Sequence, residues 1–482
     1  MRNKKVSLGI NAILNGIKSS LSVLFPLIIY PYVFQVLHSN NMGKVNFAMS
    51  IVSYFSMFAM LGVTQYAVRE GAKKRNNTLE LNKFASEIFT INMISTIVSY
   101  LLLAVSIVTL DKLHDYKILI FICSISIIFT ALGIEWVNTI FEDFFYITIR
   151  SIVVNIVTLI LIFIFVKDEN DIYIYAFLSI LGTILTSIIN WQYCRKYINL
   201  RITRNINIKK HIKPITILFA NTLATNIYVN SDITMLGWFT DDYNVGIYSL
   251  SVKIYSVIKN IMAALYTVTV PRISFYIGNN DFIKVKDLYT KLVCSIILVL
   301  LPARAGIISV APEIIMFMGG DEYIEAIMSL RILGISLIGA IFAGLLTYCL
   351  NIPLGKEKIN FHATIISACI NVGLNVFLIK IFKQNGAAVT TVISEFSVFL
   401  YCLLKSKKEL KLYMDVKVVC INIVQSLAGV VCVLLTSYWV HHIMRSSLIS
   451  LGIIVVISMS IYAVLLFGFK NEIIVGNVDS RR

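Results

Sequence analysis

Apolar residues run along this chain in long unbroken blocks separated by short polar stretches, and this pattern sets the architecture. A helix crossing a bilayer needs about 20 mostly apolar residues. Fourteen such blocks occur, near 11–36, 43–68, 84–110, 117–140, 144–166, 172–194, 214–239, 245–270, 291–318, 324–350, 359–380, 386–404, 418–440 and 447–469. They are longer and more continuous than the alternating segments of about ten residues that make outer-membrane barrels. The longest polar connection runs only from Arg195 to Lys213, which leaves no room for an inserted soluble domain. The pattern predicts an all-α polytopic membrane protein. Arg2, Lys4 and Lys5 precede the first block as they would in a signal peptide, but the block is too long and lacks a small-residue cleavage pattern, so it reads as an uncleaved helix.

Composition agrees. The chain is 58% hydrophobic and 14% charged, with a mean hydropathy of +0.81, against roughly 45–50% apolar and 25% charged in soluble domains. The net charge of +16 would suggest nucleic acid in a soluble protein, but no nucleic-acid motif is present and the distribution explains it otherwise. With loops assigned alternately to two sides, 30 of the 42 Lys and Arg residues fall on the side of the N-terminus, seven on the other side and five within the blocks. Positive charge collects on the cytoplasmic side of short-looped membrane proteins, which predicts both termini in the cytoplasm of a bacterial cytoplasmic (plasma) membrane protein. Anionic membrane lipids are natural partners, at about 1 kcal/mol per basic residue near the surface. The eight cysteines are dispersed without C-x-x-C spacing and read as small hydrophobes, and His441 with His442 reads as a solvated loop pair. No metal or other cofactor is expected.

Two faint internal echoes suggest duplication. SNNMGKVNFAMSIVSY (39–54) and DYNVGIYSLSVKIYSV (242–257) share four identities in sixteen, and Thr148 with Asn155 is echoed by Thr364 with Asn371. Both offsets are near two hundred residues, or six helices. The plan is an N-lobe of helices 1–6 (1–200), a C-lobe of helices 7–12 (201–404), and helices 13–14 with a tail (405–482). Six is even, so the lobes share orientation about an axis along the membrane normal.

Several stretches carry a family likeness: FPLIIYPYVFQVL with GKVNFAMSIVSYFSMFAMLGVTQYAVRE (25–70), GIEWVNTIFEDFFYITIRS (133–151), IYVNSDITMLGWFTDDYNVGIYSLSVKIY (227–255), LPARAG (301–306), and NVGLNVFLIKIF with GAAVTTVISE (371–395). In order and spacing the chain resembles the Wzx-like polysaccharide or oligosaccharide flippases of the multidrug/oligosaccharidyl-lipid/polysaccharide (MOP) exporter superfamily. The resemblance implies a MATE-like, V-shaped transporter of fourteen helices. It would carry undecaprenyl-diphosphate-linked oligosaccharide repeat units across the cytoplasmic membrane by alternating access, for capsular, O-antigen or exopolysaccharide synthesis, alongside a polysaccharide polymerase and chain-length machinery. Two positions depart from the family pattern: Ile233 stands where Lys often follows Asp232, and Arg304 stands where an apolar residue is usual.

A lipid-linked diphosphate sugar needs a polar cavity with cations for its phosphates, which Arg binds bidentately and Lys as a point charge. Lys18, Lys253, Lys259, Arg304 and Arg331 fall within the blocks, and Arg150 near the end of helix 5. A charge at mid-membrane costs ~2.5–3.5 kcal/mol on insertion scales, so it should face the bundle interior or water. Arg304 and Lys259 are deepest, while Lys18, Arg331 and Arg150 are near enough to an end to snorkel. Among carboxylates, Glu87, Glu135 and Glu313 read as solvated or capping groups. Glu395, deeper in helix 12, is a candidate for ion coupling or for a structural partnership. Asp232 and Lys253 are nearly equidistant from the turn TDDYN (240–244), which predicts that Asp232 faces the interior and pairs with Lys253 or another cation. Coupling to a proton, to sodium or to the membrane potential alone stays open, and no ATP-binding motif is present. Two rival functions are a multidrug or metabolite cation antiporter of the same fold, which would favour a more acidic cavity, and a membrane polysaccharide polymerase, for which a large outer loop is missing.

Overall fold

The structure is a computed structural model. It describes residues 8–204, 206–444, 448–469, 471 and 473, the side chains of 8–20, 22–24, 208, 209, 221 and 448 excepted. Its helices are α1 (Leu8–Met60), α2 (Val63–Ala72), α3 (Thr78–Thr109), α4 (Lys117–Leu132), α5 (Glu135–Ile140), α6 (Phe144–Phe165), α7 (Ile172–Cys194), α8 (Ile208–Phe239), α9 (Asp242–Thr267), α10 (Val270–Gly278), α11 (Phe282–Ser309), α12 (Ala311–Gly319), α13 (Ala326–Leu346), α14 (Glu357–Lys405), α15 (Lys407–Tyr413), α16 (Val416–Ile443) and α17 (Leu448–Gly468). Among the described residues, eleven helical stretches are long and apolar enough to cross a membrane. Two of them hold two crossings each, because α1 breaks at His38 (φ 62°) and α14 at Lys383 (φ 49°). With α8, whose apolar run is diluted by Asn226, Asn230 and Asp232, the crossings number fourteen, as the hydropathy pattern predicts. The chain is an all-helical, multi-pass membrane protein.

Apolar exposure has the sign that lipid demands. On α3 the large side chains Ile94, Ile97, Val98, Leu101 and Val105 are exposed, and on α17 Val456, Met459 and Val464. Contiguous apolar surface of this extent is unstable in water but neutral in hydrocarbon. Polar residues start the helices: Asn77 caps α3 through the Glu80 N–H (3.2 Å) and Asp281 caps α11 through the Lys284 N–H (3.2 Å).

The backbone divides into two compact units, Met1–Gly246 and Ile247–Arg482. The first contains a reciprocal close approach at the echoed glycines. A Cβ on Gly43 would lie 1.8 Å from the Asp242 carbonyl oxygen, and one on Gly246 would lie 2.0 Å from the Ser39 carbonyl oxygen. Ser39 and Asp242 occupy matching positions of the two echoed segments, so the repeat packs on its own counterpart, and any larger residue would force the backbones apart. In the second unit Pro302, inside α11, has no N–H to give to Leu298, four residues earlier. The Tyr462 hydroxyl of α17 donates to that freed Leu298 carbonyl at 3.0 Å, and Gly429 of α16 makes room for the Pro302 ring. The proline thereby becomes the docking point of the last two helices.

The basic connection after α7 is also ordered. Residues 199–203 lie extended along α3, where the N–H groups of Asn199, Arg201 and Thr203 donate to the side chains of Asn82, Ser86 and Thr90 at 2.9, 3.2 and 3.1 Å. Two residues of extended chain advance about 6.6 Å and four residues of helix about 6 Å, so the registers match over the three hydrogen bonds.

Candidate functional site

Within the first unit, α1, α2 and α4–α7 line a cavity of about 490 Å³. Its wall mixes apolar side chains (Met60, Ile134, Ile152) with hydroxyls and an amide (Thr130, Ser151, Asn155, Ser179, Thr183 and Thr186), beside Trp136 and the carboxylate of Glu135. The hydroxyls and amide can hydrogen-bond uncharged polyols, and Glu135 adds one acid. Ser151 and Thr130 also donate to carbonyls four residues back, at 2.8 and 2.7 Å, the usual way a hydroxyl is accommodated in an apolar helix. Such residues are commonplace in membrane spans, and nothing in their spacing marks these as converging.

Arg150 holds Glu135 in place. Its guanidinium is 2% exposed and meets Glu135 Oε1 at 3.2 Å, while the Glu135 side chain is 46% exposed. The same guanidinium donates to Asn190 Oδ1, which also accepts from Asn138 Nδ2 at 2.5 Å, and it lies 5.3 Å from the Tyr146 ring. Asn190 in turn donates to the Gly133 carbonyl. A buried cation is tolerable only when its charge is met, and here a carboxylate, an amide and an aromatic face meet the charge and both terminal nitrogens, while Nε is buried without a hydrogen-bond partner among the described residues. Arg150 therefore does not snorkel, and Glu135 is a partner rather than a cap.

In the second unit the arrangement is reversed. Lys259 Nζ of α9 lies 2.5 Å from Glu395 Oε1 of α14, with side-chain exposures of 33% and 6%. The Tyr255 hydroxyl donates to the same oxygen at 3.1 Å, and Lys259 Nζ stands 5.6 Å from the Tyr255 ring. Gly339 of α13 lets the two helices close, because its Cβ position is 3.0 Å from the Glu395 backbone. Lys259, expected as a cavity cation, and Glu395, expected as a coupling or structural carboxylate, are thus one ion pair. Arg304 is half-buried on α11, and its Nε is buried without a hydrogen-bond partner among the described residues. Arg331 is exposed and donates to the Ile308 carbonyl at 3.1 Å.

Asp232 is 6% exposed on α8. Two residues on, the Thr234 hydroxyl stands 3.0 Å from Ser50 Oγ and 3.4 Å from the Tyr54 hydroxyl, which makes this a polar patch between α8 and α1. Lys253 is half-buried on α9 in the second unit. The Lys18 side chain lies outside the described residues.

Two histidine–carboxylate pairs differ from the sequence reading. His211 Nε2 is 2.7 Å from Glu87 Oε2, and its Nδ1 is 2.8 Å from the Tyr66 hydroxyl, all three residues being buried. His441 Nε2 is 2.6 Å from Glu313 Oε1, with Glu313 fully buried. Neither carboxylate is solvated, and His441 is not a free loop residue. Their partners lie more than a hundred residues away, beyond any local pattern. Among the described residues no group of His, Cys, Asp and Glu is arranged to hold a metal.

The family model described as "Polysaccharide biosynthesis protein" matches residues 8–276, and that described as MatE matches 217–377. A protein described as an O-antigen transporter of Shigella dysenteriae is 23% identical over 82% of this chain and 98% of its own length. The capsular polysaccharide biosynthesis protein CapF of Staphylococcus aureus is 24% identical over 78% of this chain and 93% of its own length. Among solved structures, the lipid II flippase MurJ in an inward closed conformation superposes with a TM-score of 0.77, at 18% identity, over 96% of this chain and 99% of that one. An inward-facing multidrug resistance MATE transporter of the MOP superfamily gives 0.57 at 12% identity, over 81% and 98%. The fold is therefore that of MurJ and the MATE transporters, and the chain belongs to the polysaccharide biosynthesis protein family.

Proposed function

We propose that this protein is a flippase that carries lipid-linked oligosaccharide repeat units, built on undecaprenyl diphosphate, across the bacterial cytoplasmic membrane for surface polysaccharide synthesis. It acts as a carrier, not as an enzyme, with both termini and the basic loops in the cytoplasm, and hands its cargo to a polymerase and its chain-length machinery. The observation that carries the reading, beside the family match, is the division of polar groups. A cavity with hydroxyl and amide groups in the first unit suits an uncharged glycan, and two cations in the second, the partly exposed Lys259 and the half-buried Arg304, supply charge for a diphosphate. Lys253 and Lys18 are secondary candidates for the cation path, whereas Arg150 is committed to Glu135 and Arg331 to the Ile308 carbonyl. Asp232 and Glu395 are the carboxylates proposed for coupling to a proton or to sodium. The membrane potential alone supplies about 2.3 kcal/mol per charge per 100 mV.

The test is complementation of a strain lacking its own flippase, with glycans matched and mismatched to the protein's source. Restored polymer export is expected. If Lys259→Ala and Arg304→Ala, each at normal membrane level, export at the wild-type rate, the cation proposal is lost. The MatE match over 217–377 favours one second reading, cation antiport. Drug resistance without restored export would establish it instead.

A further inference from the structure

The extended segment 199–203 and the first turns of α3 enclose a second cavity, of about 410 Å³, which the transport reading does not use. Its lining includes Lys83 and Asn82 from α3, Arg201 and Asn199 from the segment, and Ser86 with Glu87 at its floor. We propose that this cavity is a binding site for a phosphate group, presented either by an anionic lipid headgroup or by free phosphate.

Charge is the first argument. Lys83 and Arg201 are exposed, come from opposite walls, and have no ion pair among the described residues. The one acid in the lining, Glu87, already has Oε2 engaged by the buried His211, so the cavity keeps a positive balance. Neutral donors are the second. Asn82 gives its side-chain oxygen to the Asn199 N–H, which leaves its amide N–H₂ to donate. The third is preorganisation: three backbone hydrogen bonds fix the segment on α3 before any ligand arrives, so little ordering is left to oppose binding.

Depth is the fourth. α3 is 32 residues long, about 48 Å at 1.5 Å per residue, against a hydrocarbon core of about 30 Å. Its lipid-type exposed run begins at Ile94. Residues 82–87 therefore stand several ångströms outside the hydrocarbon, at the level of lipid phosphates, where basic pockets between helices hold headgroups. The site is independent of the transport reading and stands or falls without it.

The experiment uses the full-length protein, reconstituted in phosphatidylcholine containing a minor fraction of phosphatidylglycerol, then extracted gently for native mass spectrometry. Wild-type protein is expected to retain phosphatidylglycerol over phosphatidylcholine, and Lys83→Gln/Arg201→Gln to lose that preference by about tenfold or more, two basic contacts being removed. The equally charge-depleted pair Lys407→Gln/Lys411→Gln, on exposed α15, is expected to keep it. Inorganic phosphate in lipid-free detergent separates the sources. Stabilisation of wild type but not of the Lys83/Arg201 variant by phosphate alone assigns free phosphate, and a response to phosphatidylglycerol alone assigns the headgroup. A Lys83/Arg201 variant that retains lipid like wild type, or a control pair that loses it equally, overturns the proposal. A wild-type measurement guards against a variant that fails to fold. Hydrogen exchange over 199–203 should slow with phosphatidylglycerol or phosphate relative to phosphatidylcholine, and unchanged exchange with both overturns the site.

Discussion

The two membrane-embedded ion pairs are built from the same chemistry and turned opposite ways. In Arg150–Glu135 the cation is buried at 2% exposure and the carboxylate is presented to the cavity at 46%. In Lys259–Glu395 the carboxylate is buried at 6% and the ammonium is presented at 33%. The buried member in each case fixes the position and charge of the exposed one. The first unit thus offers an acid among hydroxyls, and the second a base beside a tyrosine. Charge inside a membrane protein has an inner and an outer end, and only the outer end is available to a substrate.

The comparison makes an unequal forecast, because deleting the exposed member strands a buried charge whereas deleting the buried member leaves a charge that water can reach. The largest effect is expected for Lys259→Met, which leaves Glu395 with only the Tyr255 hydroxyl and should cost ~3 kcal/mol, the low end for a broken buried pair. Glu135→Gln comes next, at about 2 kcal/mol, since Arg150 keeps Asn190 and the Tyr146 ring. Glu395→Gln, which leaves a partly exposed ammonium, should cost only about 1 kcal/mol. Unfolding in mixed micelles measures all three. The double variant Lys259→Met/Glu395→Gln should recover more than ~1 kcal/mol of what Lys259→Met alone loses, as coupled neighbours do. Equal losses from Lys259→Met and Glu395→Gln would abolish the inner and outer distinction. The double variant also separates stability from transport, since it keeps the fold and lacks the ammonium.

The fold was largely legible because hydropathy over twenty residues reports burial in lipid directly, and fourteen crossings follow from it. Even the echoed glycines Gly43 and Gly246 were visible, although only the structure shows that each meets the other segment's backbone. Partners were not legible. Arg150 and Glu135 stand fifteen residues apart on different helices, His211 and Glu87 more than a hundred, and no local rule joins them. The polar face Asn82–Ser86–Thr90 was in plain view at a spacing of four. It went unread because an apolar helix with a polar stripe ordinarily faces another helix, whereas this one receives an extended segment.

The smallest effects should separate the two arginines that the sequence sets at different depths. Arg331 is exposed on α13, and its one recorded bond is to the Ile308 carbonyl in the last turn of α11. There it meets a carbonyl left without an intrahelical partner and the negative end of the helix dipole. Replacing it with Gln removes a solvated charge but keeps a donor within reach, so the loss should be no more than ~0.5 kcal/mol and export should hold near the wild-type rate. Arg304→Gln should behave differently. Unlike Arg150, Arg304 has no ion pair among the described residues, and its buried Nε has no hydrogen-bond partner, so its charge holds little of the resting fold. Its value should emerge only when an anion arrives, as export lost at nearly unchanged stability. If the two variants prove alike, with stability and export falling together or neither falling, then Arg304 is a second structural arginine and the diphosphate must find its charge at Lys259.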